Sequence, residues 1–281
     1  MPESSIAIIQ FCPGPDRAAN LATAERLLAG AAGKAAHIAV LPEMFSCLVA
    51  PHQWAGICEG EGGTVERFLS AAAARHRLFI VGGSYVEKSR NGSLYNTSPV
   101  FGPDGTLVGR YRKMHLFWTD IPGTTNYDER SILSAGDRRL VFEADGFRVA
   151  VGICYDLRFP EFFRMPEGAP VDLYCLPAAF MAATGQAHWR ALVVSRAIEN
   201  LSYFAAAATV GCHYSVPGRP GETVNTFGHS MIVGPWGEVE AELSEEEGVA
   251  VAPLDRARIS QARSRLAALK HIREDLWPNR P

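Results

Sequence analysis

Short apolar runs closed by turn residues recur along the chain. IAIIQF (6–11) stops at CPGP (12–15) and reads as a buried strand followed by a turn. Residues 16–35 are rich in Ala and Leu with Asp, Arg and Glu spaced among them, the pattern of an amphipathic helix. HIAVLPE (37–43) reads as a second buried strand ended by Pro42, residues 63–76 as a helix with Thr64 as its cap, and LFIVGGSYV (78–86) as a third strand. YNTSPVF (95–101) and TLVGRYRK (106–113) flank PDG (103–105) as a hairpin. RLVFEADGFRVAVGIC (139–154) forms another hairpin around Asp145 and Gly146. The pattern continues with a strand at VDLYCLPAA (171–179), a helix at HWRALVVSRAIENL (188–201) and a strand at YFAAAATVG (203–211). A hairpin turning at PWG within 228–243, a strand at GVAVAPLD (248–255) and a helix over 255–270 complete it. Strands that alternate with helices and also form hairpins predict an α/β fold, a mixed sheet system with helices outside. No composition break, linker or repeat interrupts it, so 1–281 is expected to be a single domain.

Composition narrows the class of protein. Hydrophobic residues make up 47% of the 281 and charged residues 20%, the balance of an ordinary globular chain. With 27 basic and 30 acidic side chains the net charge is −3, which offers no basic field for nucleic acid or anionic lipid. No run approaches the roughly 18 apolar residues of a membrane span. MPESSIAIIQF at the start lacks the basic and long apolar regions of a signal peptide, and a cytoplasmic setting is expected. The cysteines at 12, 47, 58, 154, 175 and 212 form no CxxC pair and fit no zinc spacing, which argues against a redox or metal protein.

Three predicted strands end on residues able to do chemistry. Glu43 closes IAVLPE although carboxylates are depleted in strands. Lys113 closes TLVGRYRK, and the apolar Met114, Leu116 and Phe117 after it favour burial over a solvated edge. Cys154 closes VAVGIC. Each alone has a plain reading: a turn cap, an exposed edge lysine, a small buried thiol. Together they are complementary. A thiol is only a few per cent ionised at neutral pH and needs a base or a cation. Glu43 can take its proton, and Lys113 can stabilise both the thiolate and an oxyanion. The backbone N–H of Tyr155, just after the nucleophile, can be a second oxyanion donor. This set predicts acyl transfer through a thioester with a carboxylate as base. A cysteine–histidine hydrolase using His115, His188 or His229 is the alternative enzyme. A binding protein without chemistry is the alternative to an enzyme.

LPEMF around Glu43, YRKMHLF around Lys113 and GICYDLRFPEFFR around Cys154, in this order and at these separations, resemble the three signature segments of the nitrilase superfamily of carbon–nitrogen hydrolases. PAAF and TGQAHWRALVVSRAIEN within 177–200, and GHSMIVGPWGEV (228–239), extend the resemblance over essentially the whole chain. It implies a four-layer α-β-β-α sandwich, a homodimer or higher homo-oligomer, a catalytic triad of Glu43, Lys113 and Cys154, and no metal or organic cofactor. A second glutamate that the family sets against its lysine matches Glu129 in TNYDERSILSAGD. Without the resemblance, Glu129 reads equally well as a loop surface charge. The implied reaction is hydrolysis of a small-molecule amide with release of ammonia.

KMHLFWTDIPGTTNYDERSILSAGD (113–137) is most similar to the omega-amidase and deaminated-glutathione-amidase branches, whose substrates carry a free carboxylate besides the terminal amide. Arg158 is the candidate cation for that carboxylate; the alternative is an ion pair with Asp156 or Glu161 that holds the loop. Phe117 and Phe180 are either pocket walls or plain core. MFSCLVAPHQW after Glu43 departs from both branches and leaves the substrate open, and GPWG replaces the more usual Asp-Pro-Trp-Gly. An N-carbamoyl amino acid hydrolase and a nitrilase are the alternatives within the family.

Overall fold

The computed structural model describes residues 4–119, 127–164, 170–215 and 223–273. β1 (Ser4–Gln10) leads into α1 (Arg17–Gly33), which Asp16 caps by accepting the Ala19 N–H at 3.2 Å. Then come β2 (Ile38–Val40), the short α2 (Trp54–Ile57) and α3 (Thr64–His76). β3 (Phe79–Val81), β4 (Tyr85–Lys88), β5 (Leu94–Phe101) and β6 (Leu107–Arg112) follow. A two-stranded ladder of β7 (Trp118–Thr119) and β8 (Tyr127–Asp128) precedes β9 (Leu140–Ala144) and β10 (Phe147–Val151). After α4 (Pro160–Phe163) come β11 (Leu173–Ala178), α5 (Ala182–Asn200) and β12 (Tyr203–Ala208). The remaining elements are β13 (Val210–Ser215), β14 (Thr223–Phe227), β15 (Met231–Val233), β16 (Val239–Glu242), β17 (Gly248–Leu254) and α6 (Arg256–Arg265).

One sheet runs β17-β1-β2-β3-β5-β4, with β6 also on β5, and the other runs β16-β15-β12-β11-β10-β9. Each has a parallel centre, β1–β2–β3 in the first and β10–β11–β12 in the second, flanked by antiparallel strands. The two-residue alternation of a strand explains the layering. Ile6 and Ile8 of β1 enter a core shared with Val149, Val151 and Leu173 of the second sheet. Ala7 and Ile9, on the other face, pack with Leu27 and Leu28 of α1 and Leu69 of α3. On the second sheet, α5 contributes the buried Trp189, Val193 and Ala197. The architecture is the α-β-β-α sandwich. β12, YFAAAA, is buried throughout, and its four small alanines let β1 pack closely across it.

Some elements differ from the sequence reading. LFIVGGSYV divides into β3 and β4 because the chain turns at Gly82 and Gly83. Gly83 has φ +55°, and a Cβ there would clash with the Pro42 carbonyl oxygen. That glycine lets the Glu43 segment pass directly against the strand end. α3 starts at Thr64 with Gly63 as its cap and no side-chain cap bond, so Thr64 is the first helical residue and not the cap. α5 begins at Ala182, upstream of 188. YFAAAATVG splits into β12 and β13, and β13 pairs with β14. Among the described residues no helix is long and apolar enough to cross a membrane.

Candidate active site

Glu43 follows β2, Cys154 follows β10, and Ala179 and Phe180 follow β11, all beyond the carboxyl ends of parallel strands; Lys113 follows β6. In layered α/β proteins this is where loops converge on a cleft. These ends meet at a cleft of about 660 Å³, its open mouth included. Glu43, Lys113, Glu129, Cys154, Tyr155 and Arg158 line its polar side, and Met44, Leu48, Val49, Trp54 and Val224 form an apolar wall.

The charges in the cleft are buried and shared. Lys113 is 1% exposed, and its Nζ donates to Glu43 Oε1 and to Glu129 Oε1, both at 3.0 Å. Burial alone would lower the lysine, but the Glu129 and Glu43 carboxylates hold it above its ordinary value. Glu129 is no surface charge. It is buried, and its Oε2 accepts the Phe117 N–H at 2.7 Å. Burial and the neighbouring Glu43 raise it above the usual carboxylate range against the pull of Lys113. Glu43 has two further donors: Asn96 Nδ2 reaches Oε1 at 2.7 Å, and the Ala179 N–H reaches Oε2 at 2.7 Å.

Cys154 opens a tight turn (Cys154–Arg158) with φ +43°. The left-handed region costs a residue with a Cβ about 1–3 kcal/mol, so something must hold it there. The fully buried Asp156 does so. Its Oδ2 accepts the Ile153 N–H at 2.8 Å and the Tyr111 hydroxyl at 2.6 Å. Its Oδ1 accepts the His115 N–H at 3.1 Å and lies 2.7 Å from His115 Nδ1. Asp156 thereby ties the turn that carries Cys154 to the segment that carries Lys113. Burial and the Glu43 carboxylate push the thiol well above its ordinary value, and Lys113 and the Ala179 N–H oppose this without cancelling it. The balance of these contacts favours the protonated form of the Cys154 thiol.

The structure brings the other predicted residues to the same cleft. The Tyr155 ring meets Phe117 edge-on at 5.1 Å, and Phe180 lies under the Arg158 guanidinium at 4.9 Å. Arg158 does not pair with Asp156 or Glu161. Asp156 is already saturated by Tyr111, Ile153 and His115, and Arg158 turns to the cleft, 3.3 Å from His188 Nδ1, with no ion pair among the described residues. None of the three histidines lines the cleft: His115 is held by Asp156, His188 sits on Arg158, and His229 stacks on Phe227. Sequence reasoning missed Asn96 and the Ala179 N–H. A signal existed for the first, since asparagine is depleted inside strands and Asn96 interrupts LYNTSPVF.

Fold and cleft together define a class: a four-layer sandwich whose cleft sets a cysteine beside an ammonium shared by two carboxylates. The chain belongs to the carbon–nitrogen hydrolase family, whose model matches residues 5–264, and is an enzyme that hydrolyses carbon–nitrogen bonds. It is 37% identical over 278 residues to the omega-amidase NIT2 of Xenopus tropicalis, covering 99% of this chain and 98% of that protein. It is 35% identical over 269 residues to the deaminated glutathione amidase of Synechocystis, covering 94% and 96%. Among solved structures it resembles Saccharomyces cerevisiae Nit3, a member of branch 10 of the nitrilase superfamily, with TM-score 0.84, 29% identity and coverage of 96% and 97%. The CN-hydrolase superfamily protein XC1258 of Xanthomonas campestris, which carries an arsenic adduct in its active site, gives TM-score 0.81, 28% identity and coverage of 96% and 97%.

Proposed function

We propose that this enzyme hydrolyses the terminal amide of a small carboxylate-bearing substrate and releases ammonia, with Cys154 as nucleophile. The observation that supports it most is the Lys113 ammonium, buried and shared between Glu43 and Glu129 beside the Cys154 thiol. The Cys154 proton passes to Glu43 as Sγ attacks the amide carbonyl. Lys113 and the Tyr155 N–H stabilise the oxyanion. Glu43 gives the proton to the departing nitrogen, and ammonia leaves a thioester. Glu43 then takes a proton from water, the resulting hydroxide attacks the thioester, and the acid leaves as the thiol is restored. Glu129 keeps Lys113 charged and aimed. Arg158, which lines the cleft and makes no ion pair among the described residues, is the cation for the substrate carboxylate. The omega-amidase and deaminated glutathione amidase relatives support this substrate class.

The test is ammonia release from alpha-ketoglutaramate, deaminated glutathione, a carbamoyl amino acid and an aliphatic nitrile, with Cys154→Ala as the blank. Turnover of a carboxylate-bearing amide, lost in Cys154→Ala by roughly 10⁴-fold or more, is expected. Retained turnover in Cys154→Ala overturns the mechanism, and turnover of only the carbamoyl compound or the nitrile overturns the substrate class. Arg158→Met should raise KM for the carboxylate-bearing amide about 10- to 100-fold, the scale of a lost charged hydrogen bond, and leave a neutral amide untouched. The implied homo-oligomer is checked by light scattering on the same preparation.

A further inference from the structure

We propose that Asn96 is a positioning residue that decides which oxygen of Glu43 carries the proton during turnover. The inference rests on the acid–base role assigned to Glu43 above. Asn96 lies on β5 and is 2% exposed. Its carbonyl oxygen accepts the Lys113 N–H at 2.8 Å, and its Nδ2 donates to Glu43 Oε1 at 2.7 Å. One residue therefore fixes the backbone of the lysine and the side chain of the glutamate.

Counting lone pairs gives the consequence. Glu43 Oε1 accepts from both Asn96 Nδ2 and Lys113 Nζ, one donor for each lone pair. Among the described residues Oε2 accepts the Ala179 N–H, and the Cys154 thiol also hydrogen-bonds to Glu43, so the second Oε2 lone pair is the one left to face that thiol. A proton arriving from Cys154 or from water is accommodated at Oε2 without displacing a donor, whereas Oε1 is full. The cycle then balances on one atom. The S–H bond breaks as the S–C bond forms, and the proton moves to Oε2. It passes to nitrogen as the C–N bond breaks. In deacylation Oε2 takes a proton from water and returns it to sulfur.

Among the described residues the Asn96 Oδ1 is buried without a hydrogen-bond partner, as are several other side-chain atoms, and it is the orientation of the amide that is informative. The opposite amide orientation would press Oδ1 against Glu43 Oε1, two acceptors in contact. Leaving Oδ1 bare is the smaller penalty, and a leucine, with the same branching and number of side-chain heavy atoms, would avoid both. Packing alone gives no reason for an amide here.

The experiment compares Asn96→Leu and the isosteric Asn96→Asp with the parent enzyme on the fastest amide of the panel, over pH 5.5 to about 9, where His-range and thiol-range groups titrate. In Asn96→Leu the proton is free to settle on Oε1, so kcat falls about 10- to 100-fold with KM little changed, and the deficit is flat with pH. In Asn96→Asp the new carboxyl donates to Oε1 only while protonated, so its kcat relative to the parent falls as pH rises. Parental kcat in both variants, with only a lowered Tm, overturns the inference, and so does an Asn96→Asp profile parallel to the parent. If Asn96→Leu fails to fold, the Asn96→Asp profile still decides. Cys154→Ala separates the two levels. Turnover in that variant overturns the catalytic reading itself, whereas an inactive Cys154→Ala with parental Asn96 variants overturns only the role of Asn96.

Discussion

Residues 110–113, RYRK, send their side chains into two regions that treat buried charge differently. Arg110 and Arg112 pair with carboxylates one to one. Arg110 reaches Glu66 through Nε at 2.6 Å and Nη2 at 2.8 Å, and Arg112 reaches Glu87 at 2.9 and 2.5 Å. The Tyr85 hydroxyl completes Glu66 at 3.0 Å, and the Thr97 hydroxyl completes Glu87 at 2.6 Å. Tyr111 and Lys113, the alternate positions, are buried, Tyr111 against Asp156 and Lys113 at the cleft. There a single ammonium serves two carboxylates, Glu43 and Glu129, each at 3.0 Å. A planar guanidinium satisfies one carboxylate bidentately, whereas a compact ammonium can be divided. The first arrangement closes the electrostatics and holds a sheet edge together. The second leaves a negative excess beside a thiol, which favours the protonated thiol and makes its proton something to be moved.

The largest effect should come from breaking the shared ammonium. Lys113→Met leaves two buried carboxylates without a cation, which should cost about 3–5 kcal/mol of stability. The loss of the oxyanion partner should reduce turnover by roughly 10³-fold. Arg112→Met should lower stability too, but Glu87 keeps its threonine donor and turnover should stay at the parental level. Denaturant unfolding and ammonia release on the two variants decide the matter. An equal loss of turnover in Arg112→Met would erase the division between the regions.

Glu129→Gln sharpens the same comparison with a smaller effect. It removes the carboxylate that burial already pushes up, so stability should change by less than about 1 kcal/mol. Turnover should drop about 10- to 100-fold as the lysine loses one of its two anchors. Combined with Lys113→Met it should recover about 1–3 kcal/mol of the stability lost there, a coupling that a double-mutant cycle reads directly. Strict additivity would mean that the two groups do not share a charge.

Much of this is legible in the sequence. The apolar runs and turn residues mark the strands and hairpins, and three strand ends carry the thiol, the amine and a carboxylate. What the chain pattern could not show is which distant groups meet. Asn96 and Ala179 donate to Glu43 across 53 and 136 residues, and nothing local in either segment announces that partner. Asp156 was visible as a charge next to Cys154, yet its partners Tyr111 and His115 come from the lysine segment. For that reason Arg158 is left to the cleft. The double glycine in LFIVGGSYV looks like an ordinary strand interior until the Glu43 loop is laid against it.

The smallest predicted effect tests the closed pair. Burial would raise Glu66, but Arg110, the Gly62 N–H and the Tyr85 hydroxyl bring it below the usual carboxylate range. The folded protein therefore holds that proton more weakly than the unfolded chain. The resulting stability is fully present above the ordinary glutamate value of about 4.3 and is lost as pH falls through the lower folded value. Arg110→Lys keeps the charge but loses the fork, and at neutral pH it should cost about 1 kcal/mol with turnover unchanged. The gap in Tm between variant and parent should narrow as pH falls through the lower folded value of Glu66, because its protonation removes the interaction from both. A gap that persists once Glu66 is protonated in both would assign the effect to packing of the arginine stem instead. A fall in turnover would show that the outward face of this strand is coupled to the cleft after all.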